Sequence, residues 1–153
     1  MQGNAEIAEQ LFKQGYNCSQ AVIGAYCEKL GLDFETAMRL SSSFGGGMGR
    51  LREVCGAVSA MFMVAGLLEG YSDPLDKDAK KKHYELIQTL AEKFTKQNGS
   101  IVCRELLALD EKQSSPVPED RTETYYIKRP CVELVRCAGE IIDEHFKDKI
   151  TKL

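Results

Sequence analysis

The sequence predicts an all-α fold, a single-domain bundle of about six to seven helices around a central apolar helix at about residues 51–69. Apolar residues recur at helical spacing along most of the chain, residues that favour helix starts precede these segments, and no convincing strand pattern occurs. With 153 residues, 43% of them apolar, the chain is long enough to bury its own core. We therefore expect one helical domain over residues 1–153.

The first three helices are bounded by residues that stop or start a helix. We expect them at about residues 4–14, 18–30 and 34–43. Gly15 and Gly31 end the first two, and Asn17 and Asp33 cap the second and third. The glycine-rich run 45–49 follows, and it disfavours a continuing helix because glycine has a high conformational entropy to lose.

The second half contains the central helix, 51–69, which is apolar on nearly all sides and should therefore be surrounded by others. The longest helix is expected at about 75–97, after Asp73-Pro74. A short helix at about 100–109 would be capped by Ser100, and a final helix is expected at about 130–146. Residues 110–128 are polar and include two prolines, so we predict a surface loop.

Four of the six cysteines lie at these expected helix starts. They are Cys18, Cys55, Cys103 and Cys131. A cysteine in a first helical turn meets unpaired backbone N–H groups and the positive end of the helix dipole, which both favour the nucleophilic thiolate. We therefore expect these four to gather at one site for thiol or metal chemistry.

The alternative is that the cysteines are buried packing residues, because free cysteine is among the most buried residue types. No C-x-x-C spacing is present, so neither a thioredoxin motif nor a zinc knuckle is indicated. Cys27 and Cys137 lie away from helix starts and are interpreted as structural. His83 falls on the apolar face of its helix and is interpreted as a core-edge residue.

The glycines near Cys55 have two interpretations. Gly45, Gly46 and Gly47 are candidates to bind a cofactor or anion through their backbone, although a tight turn between helices is the simpler explanation. Gly56 lets another helix, or a ligand, approach closely. Because no phosphate-loop motif is present, a nucleotide site is not indicated. Arg50 and Arg52, which precede Cys55 in sequence, are candidates to stabilise a thiolate, and the alternative is that they are surface charges at a helix start.

The cysteine pattern resembles a known family. Cys18, then Cys55-Gly56-Ala57-Val58-Ser59, then Cys103 and Cys131 match the order of the C_GCAxxG_C_C redox-active proteins, and the segments 15–20, 45–49 and 103–106 fit as well. The resemblance covers about residues 8–145, and the family's four defining cysteines fall on the four selected above. One departure is Ala60, which stands where the CGAxxG motif has its last glycine.

The resemblance implies a redox-active protein that uses the four cysteines for thiol–disulfide or electron-transfer chemistry. An iron–sulfur or zinc protein with the same four ligands is the alternative, and a helical interaction module with buried cysteines is the second. The cofactor is therefore none, zinc or an iron–sulfur cluster. We expect an unidentified redox partner protein, and the net charge of −3 argues against nucleic acid as a partner. We expect no membrane span, because the most apolar stretch, 54–68, is short for one. The start of the chain, MQGNAEIAEQ, lacks signal-peptide features, which favours the cytoplasm.

Overall fold

The structure, a computed structural model, describes residues 3–153, so Met1 and Gln2 of the predicted domain lie outside the described residues. The predicted all-α class is confirmed. Six helices in this range have eight or more residues, and they are α1 (Asn4–Lys13), α2 (Cys18–Tyr26), α3 (Phe34–Ser41), α5 (Gly56–Glu69), α6 (Lys77–Asn98) and α9 (Cys131–His145). Shorter helical segments are α7 (Cys103–Leu106), α8 (Glu123–Lys128) and α10 (Lys147–Thr151). The short segment α4 (Gly45–Met48) is a turn in which Gly46 and Gly47 have non-helical backbone angles.

Side-chain caps explain where several helices begin. The Asn17 side chain accepts from the Gln20 backbone N–H, and the Gln20 side chain accepts from the Asn17 N–H, which forms a capping box at α2. The Asp33 side chain accepts from the Thr36 N–H at α3. Asp76 caps α6, so the longest helix begins after Asp76 rather than at Asp73-Pro74.

The predicted central helix is confirmed as α5. Its buried residues include Ala57, Val58, Ala60 and Met61, which are fully buried. α5 packs against α2, α6 and α9, and α1 packs against both α2 and α9. One hydrophobic core therefore extends from the first helix to the end of α9. Within residues 3–153, none of the helices combines the length and apolar character of a membrane-spanning segment.

The central helix begins at Gly56 rather than near residue 51, because the preceding backbone is left-handed. All five residues of the segment 46–50 have a positive φ, as does Arg52. Side chains at such φ values clash with the backbone at a cost of roughly 1–2 kcal/mol per residue, which is why glycine supplies three of the five positions. The chain then extends, and Val54 forms an antiparallel bridge with Val102.

The predicted loop at 110–128 is wrong at its C-terminal end. Residues Glu123–Lys128 form α8, which is capped by Thr122, whose side chain accepts from the Tyr125 N–H. Tyr125 and Tyr126 of this segment pack against the core, whereas the β-branched Ile127 is exposed. The helix expected at 100–109 is also shorter, since only Cys103–Leu106 is helical and Ala108 has a positive φ.

Candidate functional site

The four cysteines at helix starts line a single cavity of about 210 Å³. Cys18, Cys103 and Cys131 are the first residues of α2, α7 and α9, and Cys55 is the N-cap of α5. The fold thus brings together four positions that are spread over most of the sequence. Each element presents its N-terminal end to the same space.

A short antiparallel contact places Cys55 and Cys103 diagonally across one bridge, with Cys55 opposite Ile101 and Cys103 opposite Glu53. The Cys55 N–H donates to the Ile101 carbonyl at 2.8 Å, and the Cys103 N–H donates to the Glu53 carbonyl at 2.6 Å. These bonds flank the bridge between Val54 and Val102. The register of two extended backbone segments therefore sets the relation between the two cysteines, which helical periodicity alone does not reveal.

Three positions in the cavity wall cannot carry a larger residue than glycine, because neighbouring side chains approach them closely. A Cβ atom on Gly56 would lie 2.5 Å from Cys18 Sγ, and one on Gly47 would lie 2.5 Å from Cys103 Cβ. A Cβ atom on Gly45 would meet the Asn17 side chain at the same distance. Gly46 also lines the cavity. The four glycines predicted to bind a cofactor therefore surround the cysteines, and that binding role stays a prediction.

The Cys18 and Cys55 thiols interact, and their pKa values shift in opposite directions. The hydrogen bond from Cys55 lowers the pKa of Cys18 below the ordinary thiol value, against the effect of burial. Backbone N–H groups of Gly46 and Gly56 also donate to Cys18 and lower its pKa further. The interaction with Cys18 raises the pKa of Cys55 well above the ordinary thiol value, and burial adds to this effect. Cys18 is therefore the candidate thiolate and Cys55 its proton-bearing partner.

Burial dominates the other two thiols. It raises the pKa of Cys103, although the Arg52 guanidinium, whose Nη1 lies 3.6 Å from Cys103 Sγ, opposes this. Burial raises the pKa of Cys131 to about 12, with a smaller contribution from the negative charge on Cys18. Both thiols therefore carry their protons at neutral pH.

Cys27 and Cys137 are buried away from this cavity. Cys27 is the C-cap of α2, with its sulfur 3.7 Å from the Gly24 carbonyl oxygen. Cys137 lies on α9 between two amides, with its sulfur 3.3 Å from Gln97 Oε1 and 3.4 Å from Asn98 Nδ2. Both act as packing residues, in agreement with their exclusion from the site.

The two histidines also lie apart from the cysteines. His83 is half-buried, with its ring edge-on to Tyr71 at a centroid distance of 6.0 Å, in a separate cavity near the end of α5. His145 contacts Lys93, and burial, together with this cation, lowers its pKa. Neither histidine reaches a thiolate as a proton partner.

Four charged or aromatic residues of the cavity wall are not predicted from the sequence, because they lie in or next to the segment predicted to be a loop. They are Glu119, Arg121, Tyr125 and Arg129. Arg121 anchors this segment by donating to the Phe12 and Tyr16 carbonyls at 2.9 and 3.0 Å. Arg129 is separated from Cys131 only by Pro130, and this proximity is the one sequence signal that points to it. Arg50 and Arg52, flagged from the sequence, also line the cavity.

The cysteines as placed do not form a metal-ligand group. Among residues 3–153, no three His, Cys, Asp or Glu side chains are grouped closely enough to hold a metal ion. A zinc site needs its thiolates to converge on one point, with Zn–S distances of about 2.3 Å. The donor set as placed in residues 3–153 therefore does not fit a zinc ion, and the iron–sulfur alternative, in which each thiolate binds a different iron, stays a hypothesis.

The comparisons with known proteins agree with the cysteine pattern. A family model described as "Putative redox-active protein (C_GCAxxG_C_C)" matches residues 16–145, which is most of the chain and includes all four cysteines of the cavity. Neither the search of curated proteins nor the search of solved structures finds a match. On the extent of the family match, this chain belongs to the C_GCAxxG_C_C family.

Proposed function

We propose that this protein is a thiol redox protein in which Cys18 and Cys55 cycle between the dithiol and the disulfide. The observation that carries the proposal is the convergence of four cysteines, from four helix starts, on one cavity. Exchange that ends in an intramolecular disulfide requires a nucleophilic thiolate and a second thiol near enough to resolve the mixed disulfide. Cys18 and Cys55 meet both requirements.

The exchange proceeds in two steps. The Cys18 thiolate attacks one sulfur of a partner disulfide, which forms a mixed disulfide and releases one partner thiolate. Cys55 then loses its proton and attacks Cys18, which forms the Cys18–Cys55 disulfide and releases the second partner thiolate. The partner gains two electrons, the cysteine pair loses two, and the released thiolates take up protons.

The second pair, Cys103 and Cys131, can reduce the first within the same cavity. Cys103 is the better attacking thiol because the Arg52 guanidinium favours its ionised form. Attack on the Cys18–Cys55 disulfide, followed by resolution through Cys131, moves two electrons and leaves the second pair oxidised. We place this cycle in the cytoplasm, where reductants keep thiols reduced, with a redox partner that regenerates the dithiols.

The test is to map disulfides after oxidation of the reduced protein in a graded redox buffer. Alkylation followed by peptide mass spectrometry should identify a Cys18–Cys55 disulfide that a dithiol reductant reverses. Cys18→Ser and Cys55→Ser should each abolish it, whereas the double variant Cys27→Ser/Cys137→Ser should retain it, since those two cysteines lie outside the cavity.

Two results would contradict the proposal. Stoichiometric metal and visible absorption in protein purified without oxygen would instead support a metal or iron–sulfur protein. Four cavity thiols that neither oxidise nor bind metal would support a helical interaction module with packing cysteines.

A further inference from the structure

The cavity that holds the four thiols is also a cavity of guanidinium groups. Four arginines contribute to its wall, namely Arg50, Arg52, Arg121 and Arg129. Glu119 is the one carboxylate among the described lining residues, and it pairs with Arg129 at 2.7 Å. This concentration of positive charge is local, because the whole chain has a net charge of −3.

The other three guanidiniums have no carboxylate partner within ion-pair distance in residues 3–153. Arg50 donates to the Ser115 carbonyl at 2.6 Å, and Arg121 donates to two backbone carbonyls. These bonds orient the guanidiniums without neutralising them. Each remains available to attract an anion in the cavity.

Arg52 is the most informative of the four because it is only 4% exposed. Its Nε donates to Ser114 Oγ at 2.8 Å, and its Nη1 faces the Cys103 sulfur. Glu111 reaches this group only through the Ser114 hydroxyl. A buried cation is costly unless an anion compensates it, and the Cys103 thiol that Arg52 faces has a raised pKa and keeps its proton at neutral pH.

The charges of the lining groups can be counted. Four guanidiniums face one carboxylate, and one thiol, Cys18, has a lowered pKa while the other three are raised. Two positive charges are therefore left without an anionic partner at neutral pH. A cavity of about 210 Å³ is smaller than a typical drug-sized pocket, so the missing anion is a small one.

We propose that the cavity selects a small anionic disulfide, with carboxylate or equivalent acidic ends, as the substrate that its thiols reduce. The acidic ends bind Arg50, Arg52 and Arg121, and the central disulfide lies against Cys18. This inference rests on the proposed thiol–disulfide exchange, whose balanced steps it leaves unchanged, and it specifies the partner's charge and size. A cavity lined by one sign of charge raises association rates with the opposite charge by about 10- to 1,000-fold.

The experiment compares three disulfides that share the same central chain and differ in charge. They are 3,3′-dithiodipropionate, bis(2-hydroxyethyl) disulfide and cystamine, which are anionic, neutral and cationic. Cys18 should react with the anionic disulfide at least about tenfold faster than with the other two. That preference should shrink as ionic strength rises, because salt screens the attraction.

Two sets of variants test the arginines. Arg50→Gln and Arg52→Gln should each reduce the preference for the anion, while Arg52→Lys, which keeps the charge, should retain most of it. Arg39→Gln removes one exposed charge from α3 and serves as the control, with no change expected. Melting temperatures establish which variants remain folded.

A non-reactive competitor separates this inference from the redox proposal. Octanedioate, the carbon analogue of the anionic disulfide, should slow the alkylation of Cys18 by iodoacetamide, whereas hexane-1,6-diol should not. Reaction with all three disulfides at equal rates, or a preference for cystamine, would overturn the anion inference and leave thiol exchange intact. If no disulfide reacts, the redox proposal fails and the substrate inference fails with it, and protection of Cys18 by octanedioate would then show only that the cavity binds an anion.

Discussion

At the scale of single residues, Cys18 and Cys131 show that a helix start does not by itself produce a thiolate. Both are the first residue of a helix, yet the pKa of Cys18 is lowered and that of Cys131 is raised to about 12. A helix dipole contributes about 0.3–2 kcal/mol, which burial readily exceeds. Cys18 differs because Cys55 and the N–H groups of Gly46 and Gly56 all donate to its sulfur.

The first prediction concerns the pH at which Cys18 becomes reactive. Its alkylation by iodoacetamide should reach half of the maximal rate below pH 8.5, the value of about 8.5 being that of a free cysteine. Cys55→Ala removes the largest contribution to the lowered pKa, so the midpoint should move to higher pH. Cys137→Ala, which lies outside the cavity, is the control and should leave the midpoint in place. An unchanged midpoint in Cys55→Ala would contradict the hydrogen-bonded pair.

At the scale of elements, the contact between α2 and α5 depends on the absence of one side chain. A Cβ atom on Gly56 would lie 2.5 Å from Cys18 Sγ and 2.7 Å from the Phe44 carbonyl oxygen. A backbone carbonyl cannot rotate away as a flexible side chain does. Gly56 therefore permits close packing at the start of α5, which allows Cys18 and Cys55 to approach each other.

The second prediction is that Gly56→Ala destabilises the protein by about 1–3 kcal/mol, the usual cost of overpacking. The matched control is Gly66→Ala on the same helix, where an added Cβ meets nothing within 4 Å. That substitution should be neutral or stabilise by up to about 1 kcal/mol, since alanine loses less entropy in a helix. Denaturant unfolding of both variants measures the difference. Equal stabilities for the two would argue against the close approach of α2 and α5.

At the scale of the whole molecule, folding buries thiols and raises the pKa values of most of them, and this couples stability to pH. Burial raises the pKa of Cys131 to about 12, while an unfolded cysteine titrates near the free value of about 8.5. Above that pH the unfolded state binds fewer protons than the folded state, so the free energy of unfolding falls as pH rises. Below it, both states keep the proton and this group has no effect.

The third prediction follows from that sign. Between pH 9 and pH 11, under reducing conditions, the free energy of unfolding should fall, with Cys131 contributing up to about 1.4 kcal/mol per pH unit. Cys131→Ser, which does not titrate, should make this slope shallower. The remaining slope should come from other buried thiols such as Cys55 and Cys103, whose pKa values are also raised. Parallel slopes in the wild type and Cys131→Ser would show that Cys131 is not the buried group.

The sequence by itself determined the helical class, the central apolar helix and the choice of four cysteines from six. These follow from local signals: helical periodicity, an all-round apolar segment, and capping residues such as Asn17 ahead of Cys18. Local signals failed where long-range contacts overrode them. Residues 123–128 became helix α8, whose preceding loop is held by Arg121 through carbonyls more than a hundred positions away in the chain.

Only the tertiary structure decided how the cysteines differ from one another. The left-handed glycine segment and the bridge between Val54 and Val102 place Cys55 and Cys103 together, and no helical period encodes that register. The pKa of each thiol depends on burial and on donors from distant segments. The four guanidiniums also come from separate parts of the chain and meet only in the folded cavity. Sequence spacing selects reactive residue types, whereas the fold sets the electrostatic field in which they react.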